Sequence, residues 1–217
     1  MLHILDQQNS IVNKYLAELR NINVQKDSMR FRRNLERIGE ISAYELSKTL
    51  NYSPIKVQTP LAEATVECIS DKVVLATILR AGLPLHQGLI NYFDDAENAF
   101  VSAYRSYSSE SDFEIKVEYI ACPSLEGKTL ILCDPMLASG ASMIAAYEML
   151  CAHGGKPAHT HIVSVLGCNE GVDYVLKHTD AEEVDLWVAT VDPVLNPHKY
   201  IVPGLGDAGD LCFGEKL

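Results

Sequence analysis

From residue 72 onward, short apolar runs alternate with longer segments whose apolar residues recur at helical spacing. The runs hold five to seven residues each and lie at 73–79, 129–133, 162–166 and 186–191. Such runs are typical of strands buried on both faces of a parallel sheet. The helical segments lie at 84–92, 141–153 and 170–178. This alternation predicts an α/β fold with a largely parallel sheet flanked by helices.

Smaller additions to this core are predicted on either side of it. Apolar residues at helical spacing predict helices at 10–20 and 27–46. Two alternating segments joined by a polar turn predict an antiparallel hairpin arm. We therefore expect one domain over 1–217, with a helical segment ending in a short extended piece at 1–60, an α/β core at 72–192 that includes the arm at 100–120, and a loop-rich C-terminal part at 193–217.

Composition excludes several classes of function. The chain has 47% hydrophobic and 22% charged residues, which is typical of a globular protein. Its net charge of -11 disfavours nucleic acid and anionic membranes as partners, since phosphate contacts need clustered basic side chains. The basic strip at 26–37 is interpreted as a solvated helix face or a subunit contact. No apolar run approaches the roughly 20 residues of a membrane-spanning helix, and no secretory signal is visible.

The cysteines and histidines show no metal-binding motif. The six cysteines are spread along the chain without a C-x-x-C pair, so we expect free thiols and a cytoplasmic location. His159 and His161 stand close together in the sequence, but no H-E-x-x-H or similar motif surrounds them. No structural metal site is therefore expected.

The segment at 134–142 joins a predicted strand to a predicted helix, which is where open α/β sheets bind ligands. Its small residues allow backbone N–H groups to approach an anion, and the helix that follows adds its positive N-terminal end. Two serine hydroxyls are further donors. The pattern indicates a phosphate-binding loop or, alternatively, an ordinary helix N-cap.

Three further segments carry chemically informative residues. Arg80 follows the first buried strand, where its forked donors suit a phosphate or a diphosphate, or else a surface ion pair. Arg105 lies in the predicted hairpin and is a second candidate cation. The segment at 200–210 has three glycines and a proline, so it is either a surface turn or a loop that presents its backbone to a small flat ligand.

Together, and in this order, the four segments resemble those of the uracil phosphoribosyltransferase family of type I phosphoribosyltransferases. The resemblance runs over nearly the whole chain. It implies the type I phosphoribosyltransferase fold and transfer of a phosphoribosyl group from 5-phosphoribosyl diphosphate to uracil, giving UMP and diphosphate. It also implies Mg²⁺ as cofactor and a homo-oligomer, dimer or tetramer. GTP, which activates part of the family, is the candidate effector.

The resemblance implies a role for each matching residue. Arg80 and Arg105 face the diphosphate, and Asp134 contacts the ribose hydroxyls. Asp207 stands near the diphosphate and Mg²⁺, which the diphosphate itself mainly holds, so Arg105 and Asp207 are the catalytic candidates. The uracil pocket is formed by Ile201, Gly206, Asp207 and Ala208. The phosphoribosyl loop comprises Asp134, Pro135, Met136, Leu137, Ala138, Ser139, Gly140, Ala141 and Ser142.

Two residues of the phosphoribosyl loop depart from the family pattern. Ser139 replaces the usual threonine and keeps its hydroxyl. Ala141 replaces a glycine, which strains the loop only if that position needs a positive φ, and we expect it to lie in the first helical turn instead. Two other functions remain to be weighed: a nucleotide-sensing regulator that keeps the fold, and a transferase that acts on a purine base. The 200–210 segment favours uracil over a purine.

Overall fold

A computed structural model of the chain describes residues 1–107 and 113–216, and only the backbone for 103–107 and 113–118. Eight strands form the main sheet: β1 (Leu2–Ile4), β4 (Val73–Leu79), β5 (Glu97–Tyr107), β6 (Phe113–Ala121), β7 (Thr129–Cys133), β8 (Met136–Leu137), β9 (His159–Cys168) and β10 (Val184–Asp192). The order is β1-β10-β9-β7-β4-β5-β6, with β8 also paired to β9. All neighbouring strands run parallel except β5 and β6. The predicted parallel sheet and hairpin are confirmed.

Helices cover both faces of the sheet because the strands are apolar on both sides. One face packs against α1 (Ile11–Arg20), α2 (Ser28–Ser47) and α3 (Leu83–Ile90). The other face packs against α4 (Ala141–Gly154) and α5 (Asn169–His178). Successive strand residues therefore enter different cores: Leu75 and Val163 belong to the first, Val74 and Ile162 to the second.

The N-terminal helices begin at the residues that the sequence offers as caps. The Ser10 side chain accepts a hydrogen bond from the backbone N–H of Val12, and Asp27 accepts one from Arg30. The expectation that the whole N-terminal segment is helical is wrong at its start. Leu2–Ile4 forms β1, a parallel strand at the edge of the main sheet, and a 3₁₀ turn follows at Leu5–Gln7. Three residues are too few for periodicity to reveal a strand.

The predicted short extended piece is one half of a larger feature. Strands β2 (Tyr52–Gln58) and β3 (Glu63–Ile69) pair with each other in a separate antiparallel sheet. We call this two-stranded sheet the β2–β3 arm. Most of its side chains are exposed, so the arm lacks the pattern of buried apolar residues by which strands are predicted from a sequence.

The C-terminal part is more ordered than the expected loop. Strands β11 (Val194–Leu195) and β12 (Ile201–Val202) pair antiparallel, and helix α6 (Ala208–Phe213) follows. Each of these elements is at most six residues long, which is too short for a periodic pattern of apolar residues. The many prolines and glycines of this part therefore favoured the prediction of a loop. Cys212 and Ala208 of α6 pack into the same core as α2.

Two observations bear on the chain's environment. In the ranges that the structure describes, no helix has the length and apolar character needed to cross a membrane. All six cysteines are free thiols.

Candidate active site

The loop after β7 turns sharply into helix α4, and Gly140 makes the turn. Gly140 is the N-cap of α4 with a φ of +79°, in the left-handed region that favours glycine. A Cβ atom there would lie 2.8 Å from the carbonyl oxygen of Gly171, so the site has no room for a side chain. Ala141 is the first residue of α4, as expected, and its φ is not positive. The N-terminal end of α4 therefore opens onto the loop without strain at Ala141.

Asp134 is fixed at the mouth of this loop by its backbone. Its N–H donates to Val163, and its carbonyl accepts from the hydroxyl of Ser164 at 2.7 Å. Burial raises the pKa of the Asp134 carboxyl to about 8, although a hydrogen bond from the Met136 N–H acts in the other direction. The carboxyl therefore keeps its proton at neutral pH, and it repels a neighbouring phosphate much less than a carboxylate would.

The second loop leads from β12 into α6, and Asp207 is the N-cap of that helix. Its Oδ1 accepts from the backbone N–H of Asp210 at 3.0 Å. Burial alone would raise the pKa of Asp207, but hydrogen bonds from Lys216 and from the Asp210 N–H outweigh it and hold this pKa below its ordinary value. Asp207 is therefore an ionised carboxylate at neutral pH.

Two cations meet two carboxylates beside this second loop. The Lys216 ammonium lies 2.9 Å from Oδ2 of Asp207 and 3.3 Å from Oδ1 of Asp210. Arg80, which follows β4, donates to the same Asp210 oxygen at 2.6 Å and to the carbonyl of Gly214 at 2.8 Å. The end of β4 and the C-terminal segment are thereby held together.

Both loops line one cavity of about 500 Å³, which is within the size range of small-molecule sites. Gly140 of the first loop and Gly206 of the second both line it. Its lining residues are Ala81, Asp134, Met136, Leu137, Ala138, Ser139, Gly140, Ser142, Met143, His198, Lys199, Tyr200, Ile201, Gly206, Asp207, Ala208, Gly209 and Lys216. The predicted uracil-pocket residues and most of the predicted phosphoribosyl loop therefore share one cavity.

A few predicted site residues lie elsewhere. Pro135 is buried, and its carbonyl accepts from the N–H groups of Val165 and Leu166. Ala141 and Arg80 do not line the cavity, although Ala81 next to Arg80 does. The side chain of Arg105 falls outside the described residues, and its backbone pairs with Ile115 in the hairpin.

Sequence reasoning missed Lys216 and the residues at 198–199. Lys216 enters the site because α6 turns the chain back toward Asp207, the N-cap of that helix. The available signal was a basic residue just beyond a short helix that has one aspartate at its N-cap and another in its first turn.

Comparison with known proteins identifies the family. A family model described as uracil phosphoribosyltransferase matches residues 6–215. The chain belongs to the uracil phosphoribosyltransferase family. This confirms the resemblance drawn from the four segments.

Relatives in this family match over almost their entire length. The uracil phosphoribosyltransferase of Porphyromonas gingivalis is 51% identical over 213 residues, covering 98% of this chain and 98% of the relative. That of Methanothermobacter thermautotrophicus is 40% identical over 217 residues, covering 99% of this chain and 96% of the relative.

Solved structures agree with the fold. The AQ2163 protein of Aquifex aeolicus superposes with a TM-score of 0.86 at 26% identity, covering 99% of this chain and 98% of that one. A hypoxanthine phosphoribosyltransferase of Staphylococcus aureus superposes with a TM-score of 0.51 at 16% identity, covering 87% and 84%. The type I phosphoribosyltransferase architecture is therefore shared beyond the uracil family.

Proposed function

We propose that this protein transfers the 5-phosphoribosyl group of 5-phosphoribosyl 1-diphosphate to uracil, giving UMP and diphosphate. The observation that carries the proposal is the single cavity lined by the 134–142 loop and by the loop before α6. The loop assigned to phosphate and the loop assigned to the base thus line the same cavity. A reaction that joins a sugar phosphate to a small flat base requires this arrangement. Membership of the uracil phosphoribosyltransferase family supports the same reaction.

The 5′-phosphate is assigned to the N-terminal end of α4. Backbone N–H groups at 138–142 and the hydroxyls of Ser139 and Ser142 are the donors, and the helix dipole favours the negative charge. Asp134 is assigned to the ribose hydroxyls, to which its protonated carboxyl both donates and accepts hydrogen bonds. Phosphate binding then holds the sugar in line with the base and contributes to the rate through positioning.

The diphosphate is assigned to the side of the cavity next to Arg80. As the bond from the anomeric carbon to diphosphate breaks, negative charge builds on the departing oxygens while the sugar ring becomes positive. Lys216 and Arg80 lie beside this position and stabilise that charge. Arg105 remains assigned to the diphosphate by its match to the family pattern.

Mg²⁺ fits the residues present. Asp207 lines the cavity with a carboxylate, the kind of ligand that Mg²⁺ prefers, and Asp210 shares the Lys216 ammonium with it. Asp207 would hold the ion through water while the diphosphate binds it directly. Bound there, Mg²⁺ would supply positive charge to the leaving group.

Uracil is assigned to the backbone of the second loop. Ile201 is almost fully buried and offers an apolar wall, and residues 206–208 line the cavity, where their N–H and C=O groups are assigned to the base. The uracil edge carries two carbonyl acceptors and one N–H donor. Cytosine would bring an amino group against a donor and leave polar groups unpaired, so the pocket rejects it.

The proposal extends to a homo-oligomeric assembly and a cytoplasmic location. A homo-oligomer is supported by the β2–β3 arm, whose exposed apolar side chains include Ile55 and Val66. A cytoplasmic location is supported by six cysteines without a disulfide.

Assay of the purified protein with 5-phosphoribosyl diphosphate, Mg²⁺ and each of uracil, cytosine and hypoxanthine tests the proposal. We expect UMP from uracil and no product from the other two bases. Asp207→Ala is expected to keep the fold, followed by circular dichroism, and to lower turnover at least about tenfold, the size typical of lost transition-state electrostatics. Arg105→Ala should do the same. Product with hypoxanthine and none with uracil contradicts the assignment.

A further inference from the structure

Strand register gathers a second group of functional side chains far from the cavity. His161 on β9 is paired with Asp185 on β10, and Trp187 on β10 is paired with His3 on β1. Because strand side chains alternate between faces, His159 shares a face with His161, and Asp185 shares that face with Trp187. The group lies near the amino ends of β9 and β10. The cavity lies at the carboxyl edge of the sheet, so the two are at opposite edges.

The donor atoms of three of these residues converge on one point. Nε2 of His159 lies 3.1 Å from Oδ2 of Asp185, and Nδ1 of His161 lies 3.8 Å from the same oxygen. All three donor atoms lie within 4.8 Å of one another. Ligands at about 2.1 Å from one zinc ion are roughly 3–4 Å apart, so shifts below about 1 Å complete the geometry.

His161 presents an unprotonated nitrogen to this point. The indole N–H of Trp187 donates to Nδ1 of His161 at 3.2 Å, so that nitrogen carries a lone pair. The lone pair and the nearby Asp185 oxygen are both acceptors, and the His161 side chain is only 2% exposed. A metal ion bound at this point would take that lone pair in place of the indole N–H of Trp187.

An imidazole and an ammonium group lie beside the other oxygen of the Asp185 carboxylate. Nε2 of His3 lies 3.7 Å from Oδ1 of Asp185. The α-ammonium of Met1 pairs with the same Oδ1 at 2.8 Å, which leaves Oδ2 facing the two histidines of β9.

We propose that His159, His161 and Asp185 form a binding site for Zn²⁺ or a cation of similar preference. Imidazoles with one carboxylate suit Zn²⁺ and Co²⁺, whereas Mg²⁺ and Ca²⁺ prefer oxygen ligands. The bound ion joins β9 to β10 and stabilises the amino-terminal end of these two strands. The site does not depend on the transferase reaction.

The protein contains its own reporter for this site. Trp187 is the only tryptophan in the chain, and its ring stacks on His3 with the centroids 3.8 Å apart. Titration of the full chain, without an added histidine tag, with Co²⁺ should quench this fluorescence and saturate at one ion per chain. Zn²⁺ should displace the Co²⁺, reverse the quenching and raise the melting temperature.

Variants locate the ion. His159→Gln and Asp185→Asn should each weaken Co²⁺ binding more than about tenfold, since even outer partners of metal ligands have effects of that size. His178→Gln, at an exposed histidine on α5, is the matched control and should bind as the wild type does. His159→Gln should also retain wild-type transferase activity, which separates this site from the cavity.

A second measurement does not depend on the fluorescence of Trp187. Trp187→Phe removes the competing N–H, and it should bind Co²⁺ at least as tightly when followed by the visible absorption of the metal. The proposal is overturned if the wild type shows no saturable binding of Co²⁺ or Zn²⁺. Equal binding by wild type and His159→Gln overturns it as well.

Discussion

Asp134 and Asp207 both border the cavity, yet their surroundings move their pKa values in opposite directions. Burial raises the pKa of Asp134 to about 8, and the helix N-terminus and Lys216 hold that of Asp207 below its ordinary value. One aspartate is therefore neutral at pH 7 and the other charged. This division suits a site in which one carboxyl faces sugar hydroxyls beside a phosphate and the other faces cations.

Asp134→Asn tests the raised pKa through stability. Between the unfolded pKa of 3.8 and the folded value of about 8, the folded wild type binds more protons, so its stability falls as pH rises. Asparagine has no such dependence. The melting temperature of the variant minus that of the wild type should therefore increase from about pH 4 to about pH 8. A difference that stays constant over this range contradicts the raised pKa.

Lys216→Gln tests the coupling between Lys216 and Asp207. Without the ammonium, the pKa of Asp207 rises toward its ordinary value. Because the ionised form of Asp207 is assigned to the reaction, the acidic limb of the kcat/KM profile should move to higher pH. Lys216→Arg keeps the charge and is the matched control. If the acidic limb is unchanged in Lys216→Gln, the ionisation of Asp207 does not determine that limb.

One ion pair connects three elements around the second loop. Arg20, the last residue of α1, donates to both carboxylate oxygens of Asp192 at 2.7 and 2.8 Å. Asp192 ends β10 and also accepts from the N–H of Gly204, whose carbonyl accepts from Arg20. The Asp192 side chain is 8% exposed, so its carboxylate has little access to water. The N-terminal helices thereby position the loop assigned to uracil.

Arg20→Leu should destabilise the protein by about 3 kcal/mol, because it leaves the Asp192 carboxylate buried without its cation. The KM for uracil should rise more than that for 5-phosphoribosyl diphosphate, since the Gly204 loop is released and α4 is untouched. Denaturant unfolding and steady-state kinetics measure the two effects. Lys48→Ala, at an exposed ion pair with Glu45, is the control and should cost at most about 1 kcal/mol. If both variants lose the same free energy of unfolding, the ion pair of Arg20 with Asp192 contributes no more than an exposed ion pair does.

The sequence predicts elements with large buried faces and misses those without them. The run at 73–79 became β4 because all its residues except the last are buried, and Ser10 and Asp27 cap helices by local hydrogen bonds. Strand β1 and helix α6 are short, so no period could develop. Sites that depend on strand pairing are also missed, because the sequence alone does not predict the register of the strands. His161 and Asp185 are far apart in sequence, and only strand pairing brings them together.

At the scale of the whole molecule, the β2–β3 arm stands apart from both cores. Its strands pair only with each other in the part of the chain that the structure describes. The pair Ile55 and Val66 share one face and are 44% and 45% exposed, and Leu61 at the turn is 96% exposed. An isolated two-stranded sheet is marginally stable in water, and exposed apolar patches mark contacts between proteins. In the proposed homo-oligomer, a second copy of the chain covers the apolar face of the arm.

Ile55→Lys should therefore reduce the assembly to a smaller species in sedimentation equilibrium, because a charge in the centre of an apolar contact is costly to bury. Gln58→Lys is the matched control. It adds the same charge to the opposite, polar face of the arm, where Gln58 is paired with Glu63. Circular dichroism should show both variants folded, since neither side chain enters a core. If the two variants sediment alike, the apolar face of the arm takes no part in self-association, and the oligomer contact has to lie elsewhere on the molecule.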